Sequence, residues 1–260
     1  MMHTYAVLLL LLLPVTLAAQ YSETIASGRP GQSIPSTTVG RGVYQVETGL
    51  NLDWTQEGGG RTSDLVETTE IRIGLLEHLE LSALIAGASD EMPAGTGFRR
   101  DRGISDTQLG ARYNFFEQDG WRPSLGLQGR VLLTAQDEDF RREDPGAAFI
   151  VSAEWSLTDL LALTLNLNQV WTGDNARTTA YAATLGFNLS DRWSAFTELY
   201  GLLSDGFTVD VDGGFAYLVN DHVLLDASAG WDGMPGQRSY YADFGISFRL
   251  DTRALRAAGR

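Results

Sequence analysis

From Val43 to Leu250 apolar and polar side chains alternate residue by residue in block after block. That period of two belongs to strands with one face against an apolar medium and the other against polar groups or water, and it limits the fold more than any other feature. In 43–54 one face carries Tyr44, Val46, Thr48, Leu50, Leu52 and Trp54, and the other Gln45, Glu47, Gly49, Asn51 and Asp53. The pattern predicts twelve strands, at 43–54, 65–75, 79–88, 104–116, 121–134, 147–157, 161–172, 178–189, 193–203, 208–218, 223–231 and 239–250. Most run about 10–12 residues, enough for a tilted strand to cross a bilayer. No segment before the tail shows a convincing 3.6-residue period. Nothing after Gln20 approaches 18 consecutive apolar residues, which excludes a helical membrane protein and leaves a β-barrel open.

The connections alternate in length. Tight turns are expected near 76–78, 117–120, 158–160, 190–192 and 219–222, and looser polar or Gly-rich loops at 55–64, 89–103, 135–146, 173–177, 204–207 and 232–238. Short links interleaved with longer ones, and an even strand number, describe an up-and-down transmembrane barrel with short periplasmic turns and longer external loops.

A soluble sandwich also has one apolar face per strand, and the tryptophans separate the two. All six share the apolar parity of their strand and lie at a strand end: Trp121, Trp155 and Trp193 beside short turns, Trp54, Trp171 and Trp231 beside long loops. Two aromatic belts imply two water–lipid interfaces. The opposite face carries Glu47, Asp53, Glu70, Arg72, Asp106, Gln108, Arg112, Arg130, Glu154, Asn166, Asn168, Glu198, Asp210, Asp212, Asp226 and Asp243. Burying so many charges in a dry sandwich costs more than a domain can spare, whereas a hydrated lumen accepts them. The fold class is therefore all-β, a transmembrane antiparallel barrel of about twelve strands.

Residues 1–19 read as a secretory signal peptide: a short apolar run at 6–13, then small residues before the cleavage site. Residues 20–42, with Pro30 and Pro35, read as an extended N-terminal periplasmic segment, 43–250 as the barrel and 251–260 as a periplasmic tail able to form a helical turn. Export and the barrel pattern place the chain in the outer membrane of a Gram-negative-type bacterium, among lipid and lipopolysaccharide. The net charge of −14 argues against nucleic-acid binding. The chain has no cysteine and only His3, His78 and His222, so neither a thiolate site nor a three-histidine metal centre is expected.

The final strand, Asp243-Phe-Gly245-Ile-Ser-Phe248-Arg-Leu250, resembles the C-terminal insertion signal of bacterial outer-membrane barrels, which implies the barrel-assembly machinery as a partner. The chain departs from it by continuing ten residues beyond Leu250. Gly28-Arg29-Pro30 with Gln32-Ser33, Pro35-Ser36, Val39, Gly42, Gln45 and Glu47-Thr48-Gly49 opens a series of short motifs. It continues with Gly74-Leu-Leu-Glu-His-Leu-Glu-Leu81, Gly103-Ile-Ser-Asp-Thr-Gln-Leu-Gly110, Phe196-Thr-Glu198-Leu-Tyr200-Gly201 and Tyr217-Leu-Val-Asn220-Asp221. In this order the motifs resemble the outer-membrane "transporter" family catalogued under the meta-pathway of phenol degradation. The first motif departs from the family's at Gly28, Gly31 and Gly40, where the family has Asp, Asp and Pro. The resemblance implies transport of small molecules, aromatic ones among them.

Chemistry finds little support. His78 and His222 fall in short turns, and nothing places a nucleophilic serine beside either. Lumen carboxylates are so plentiful that a glycosidase-like pair would occur by chance. Asp210-Val-Asp212-Gly213-Gly214 lacks EF-hand spacing and sits in strand pattern. No catalytic residue, metal site or cofactor is assigned. Arg99, Arg100 and Arg102, or the charges of loop 135–146, are candidates for lipopolysaccharide phosphates or bridging cations, with solvated loops as the plainer reading.

The inward charges sort by sign. Strands nine to twelve supply an acidic wall of Glu198, Asp210, Asp212, Asp226 and Asp243, with Arg249 as its only base. Strands four and five supply a basic wall of Arg112, Arg122 and Arg130, with Asp106 as its only acid. Tyr200 stands beside Glu198, positioned to stack on or hydrogen-bond a ligand. Two readings stay open: a transverse field across an open lumen, favouring cations, or direct pairing that plugs it. The functional expectations are a channel or transporter for small solutes, then a structural or assembly barrel with a closed, salt-bridged lumen, and last an outer-membrane enzyme.

Overall fold

The computed structural model describes residues 24–57, 60–94, 97–173, 176–204, 206–232 and 237–253. The signal peptide and most of the tail lie outside these. Among the described residues twelve antiparallel strands form one closed barrel in which each pairs with its sequence neighbours. They are β1 Val43–Glu57, β2 Gly60–Leu76, β3 Leu79–Ala94, β4 Gly97–Phe116, β5 Ser124–Leu132, β6 Gly146–Ser156, β7 Leu161–Trp171, β8 Arg177–Asn188, β9 Trp193–Leu202, β10 Asp210–Asn220, β11 Val223–Asp232 and β12 Gln237–Asp251. β1 and β12 close the ring from Val43↔Asp251 to Glu57↔Gln237. No edge is left open, as a lipid environment requires.

Side-chain direction follows the expected parity. Leu165, Leu185, Leu225, Val151 and Phe244 are exposed on the outer face, while Gln45, Arg72, Gln128, Ser152, Glu198 and Ser247 are buried inside. This inversion, apolar out and polar in, is that of a barrel in lipid. Trp171, Trp193 and Trp231 stand exposed on the outside. Trp193 packs on Tyr217 at one rim and Trp171 on Phe149 at the other, with ring centroids 4.7 and 5.9 Å apart. Leu165→Arg would place a charge midway along β7 on this face and is expected to cost about 2–4 kcal/mol of barrel stability. Asn168→Arg, on the inner face, should cost far less. Equal midpoints for the two in reversible unfolding would reverse the assignment.

Two predicted loops are strand. Residues 60–64 and 89–94 continue β2 and β3, and 97–103 continue β4, so the first four strands rise above the others at the long-loop end. The apolar face fades there, which hid the ladder from periodicity. Backbone pairing continues, helped by the cross-strand pair Arg100–Glu91 at 3.4 Å. The loop between β5 and β6 folds back on β4, with Asp137 N donating to Ile104 O and Asp137 Oδ2 accepting from Ile104 N.

The larger departure is the N-terminal segment. It is extended, as expected, but it lies inside the barrel rather than outside it. The physical reason is hydrogen bonding: its backbone N–H groups have no ladder partner and face a ring of inward acceptors.

Candidate functional site

The barrel's size sets what its lumen can hold. Twelve strands spaced about 4.8 Å apart and tilted about 40° give a backbone radius of about 12 Å. Removing a side-chain layer of about 5 Å leaves a bore of about 7 Å radius, whose circumference of about 44 Å matches some 13 extended residues. The segment between Ala26 and Val39 makes one such circuit.

Its contacts run round the ring against strand order. Ala26 O accepts from Gln45 on β1 and Arg72 on β2, and Ser27 and Gly28 donate to Glu47 of β1. Arg29 forms ion pairs with Asp226 of β11 and Asp243 of β12. Gln32 N and Ser33 N donate to Glu198 of β9 at 2.6 and 3.0 Å, and the hydroxyls of Ser33 and Thr184 of β8 share a hydrogen bond. Ile34 N meets Asn166 of β7 at 2.6 Å. Ser36 reaches Glu154 of β6 and Ser124 of β5, and its carbonyl accepts from Asn114 of β4. Thr37 O accepts from Arg112, and Val39 N donates to Glu80 of β3. Polar contacts of the segment reach eleven of the twelve strands. Inward glycines make the room: a Cβ at Gly126 would strike Ser36, and one at Gly49 the guanidinium of Arg29.

These contacts satisfy buried groups on both sides, since an extended chain without a ladder partner must find other acceptors for its N–H groups. The Glu198 carboxylate, 1 % exposed, accepts from Gln32, Ser33 and Thr184 together. The segment leaves at the short-turn end, where Gly42 N donates to Gly74 O. Thr252 at the end of the chain's last described stretch bonds Gly42 O, and Arg253 pairs with Glu77 at 3.0 Å.

The residues expected to form the two walls lie on the inner face with one exception. Glu198, Asp212, Asp226, Asp243 and Asp210 all face inward on β9–β12, joined by Asp232, which the sequence reading did not include. Arg249 also faces inward. Arg112 and Arg130 face inward on β4 and β5, but their acids come from other strands: Glu80 of the adjacent β3 lies 3.6 Å from Arg112, and Glu70 of β2, three strands away, lies 2.8 Å from Arg130. Arg122 is a correction. It lies in the β4–β5 turn outside the lumen, 4.7 Å over the Phe116 ring and 3.8 Å from Asp119, beside Trp121 and Trp155. The turn breaks strand parity before β5 starts at Ser124, so counting back from Arg130 misplaces Arg122. Asp106 does face the lumen but is paired with Arg142 from the folded-back loop at 2.8 Å. The two walls therefore neither face each other across open water nor pair directly; the N-terminal segment stands between them, and Arg29 brings a positive charge to the acidic side. Tyr200 donates to Asp232, and Tyr241 in the same way to Asp212.

The loop charges are engaged locally. Arg99 pairs with Asp101 and with Asp139 of the β5–β6 loop, and Arg102 donates to Ser89. His78 and His222 lie in short turns, their carbonyls accepting from Asn114 N and Arg249 N.

Two cavities lie along the wall of β7–β10. One of ≈ 310 Å³ includes Asn168, Ala180, Tyr200, Leu202 and Asp210 toward the long loops, with Gln32 at its floor. The other, of ≈ 220 Å³, includes Thr164, Gly186, Ser194, Phe196 and Ala216 toward the short turns, bounded by Pro30 and Ser33.

Among solved structures, an outer membrane channel from Pseudomonas putida F1 superposes with a TM-score of 0.64 at 12% identity, covering 85% of this chain and 99% of that one. The NanC porin gives 0.50 at 11% identity, covering 78% and 100%. At such identities the likeness concerns the fold. No curated protein matches the chain in sequence. A family model matches residues 27–250, from the lumen segment through the last strand; the chain belongs to the family described as "Putative MetA-pathway of phenol degradation".

Proposed function

We propose that the protein is an outer-membrane channel for small solutes, non-enzymatic, whose bore is narrowed by its own N-terminal segment. The observation that carries this reading is the pair of cavities. Together they follow one stretch of inner wall, β7 to β10, from the long-loop side to the short-turn side, and residues 30–33 lie between them. A structural barrel has no need of aligned cavities on either side of a single crossing strand. The family description supports an aromatic solute.

The field along this route is negative. Glu198, Asp210, Asp212, Asp226, Asp232 and Asp243 line β9–β12, against Arg29 and Arg249. Low-dielectric walls focus such a field on the bore and favour cations. In planar bilayers with a potassium chloride gradient, the reversal potential is expected on the cation-selective side. Asp210→Asn with Asp212→Asn should move it toward zero. Anion selectivity, or an unmoved potential in a conducting double variant, would contradict the route. The competing reading, a closed structural barrel, is favoured by the segment's contacts with eleven strands; it predicts no conductance from the intact protein.

A further inference from the structure

The cavity on the long-loop side of Gln32 has a two-sided lining. Ala180, Ala182 and Leu202 form one apolar side, and Asp210 and Asp232 stand on the other with the Tyr200 ring beside them. Among the described residues no arginine lines it. Asp232 receives the Tyr200 hydroxyl, a neutral donor. Asn168 Oδ1, also at this cavity, is buried and receives no hydrogen bond among the described residues. Deeper in the same wall, Asp212 and Asp226 are each 6 % exposed. Among the described residues each keeps one carboxylate oxygen without a donor. Arg29 is committed to Asp226 and Asp243.

We propose that this cavity binds a small ammonium ion carrying a compact apolar body, such as an arylalkyl or alkyl amine. The proposal rests on the channel reading only for its role as the solute's entry site. Carboxylates behind low-dielectric walls hold a positive charge far more strongly than the same groups in water. The N–H donors of an ammonium suit Asp232, which accepts from a neutral hydroxyl, and Asn168 Oδ1, which among the described residues accepts from none. The hydrocarbon fits against Ala180, Ala182 and Leu202, and the Tyr200 ring adds a face for a cation. At ≈ 310 Å³ the space lies at the small end of ligand pockets. A bare divalent ion fits poorly, because the apolar side would leave its oxygen shell incomplete. An aromatic carboxylate is repelled, and a neutral alcohol leaves the carboxylates uncompensated.

Calorimetric titration of the purified full-length protein in detergent tests this with three isosteres: phenethylammonium, 2-phenylethanol and phenylacetate. Phenethylammonium should bind at least tenfold more tightly than the alcohol, with no heat from phenylacetate. Asp232→Asn should weaken it at least tenfold, and Ala180→Leu, which fills the apolar side and keeps every charge, should also weaken it. Heat-modifiable migration in electrophoresis establishes that each variant barrel is folded. Comparable affinity for the alcohol, undiminished affinity in the folded variants, or no binding of phenethylammonium at millimolar concentration would overturn the proposal. Bilayer conductance of the same preparations tests the channel separately: current without amine binding removes only the site, and amine binding without current removes only the channel.

Discussion

Deleting residues 24–38 is expected to leave a folded barrel that conducts severalfold more than the intact protein. The ladder starts at Val43 and closes on Asp251 without using the segment, so strand pairing should survive its loss. Val39 and Gly42 are kept because their N–H groups bond Glu80 and Gly74 O at the short-turn rim. What is lost is a circuit of chain on the inner wall, and with it the barrier at residues 30–33. A bore of about 7 Å radius then fills with water, and Glu154 and Glu198, which had accepted N–H groups from the segment, become solvated carboxylates. Conductance grows with the open cross-section, so the change should dwarf that of any single charge substitution. Glu198→Gln tests the same barrier more gently, because a neutral amide oxygen holds the two N–H groups of Gln32 and Ser33 less strongly than a carboxylate does. It should raise the frequency of openings rather than their size. A truncated barrel that is folded by heat-modifiable migration yet conducts no more than the intact protein would mean that the segment is not the barrier.

The barrel itself was legible because its two solvents differ so sharply. Lipid outside and polar groups inside impose a period of two on every crossing, and Trp54, Trp171, Trp193 and Trp231 mark where each crossing ends. Above the membrane that contrast disappears, and the upper parts of β2, β3 and β4 read as loops although their backbones stay paired. The lumen segment was not legible for a related reason. Its recognition consists of backbone N–H groups donating to single inward side chains, such as Ile34 to Asn166 and Val39 to Glu80, and backbone groups leave no trace in composition. One signal was available: inward positions Gly49, Gly126 and Gly245 are occupied by glycine where neighbours on the same face are large and polar, and each lies against the segment. Missing side chains on a lumen wall mark where another chain approaches. On the basic side, Glu80 of the adjacent β3 takes up Arg112, and Glu70 of β2 takes up Arg130 from three strands away. Parity gives the face of a residue and leaves its partner to be found.

Arg72→Met should be among the most destabilising substitutions in the barrel, costing about 3–5 kcal/mol. Arg72 is 1 % exposed and holds three elements at once. Its Nη1 meets Glu47 of β1 at 2.8 Å and the carbonyl of Ala26 at 3.0 Å, while Nε and Nη2 meet both oxygens of Glu80 of β3 at 2.9 Å. The paired fork on Glu80 is a geometry that only a guanidinium provides. Removing it leaves two buried carboxylates side by side, with Arg112 at 3.6 Å from Glu80 as the remaining counter-charge. The cost is then mainly that of stranded charge rather than of lost attraction. That distinction makes the test sharper. Adding Glu47→Gln and Glu80→Gln to Arg72→Met removes the stranded charge, so the triple variant should recover much of the lost stability in reversible unfolding from lipid vesicles. Arg72→Lys should fall between, since an ammonium keeps the charge but cannot reproduce the fork. A loss below about 1 kcal/mol in the single variant would match a surface ion pair, and would mean that water reaches this corner of the lumen and that Arg72 does not anchor the start of the segment.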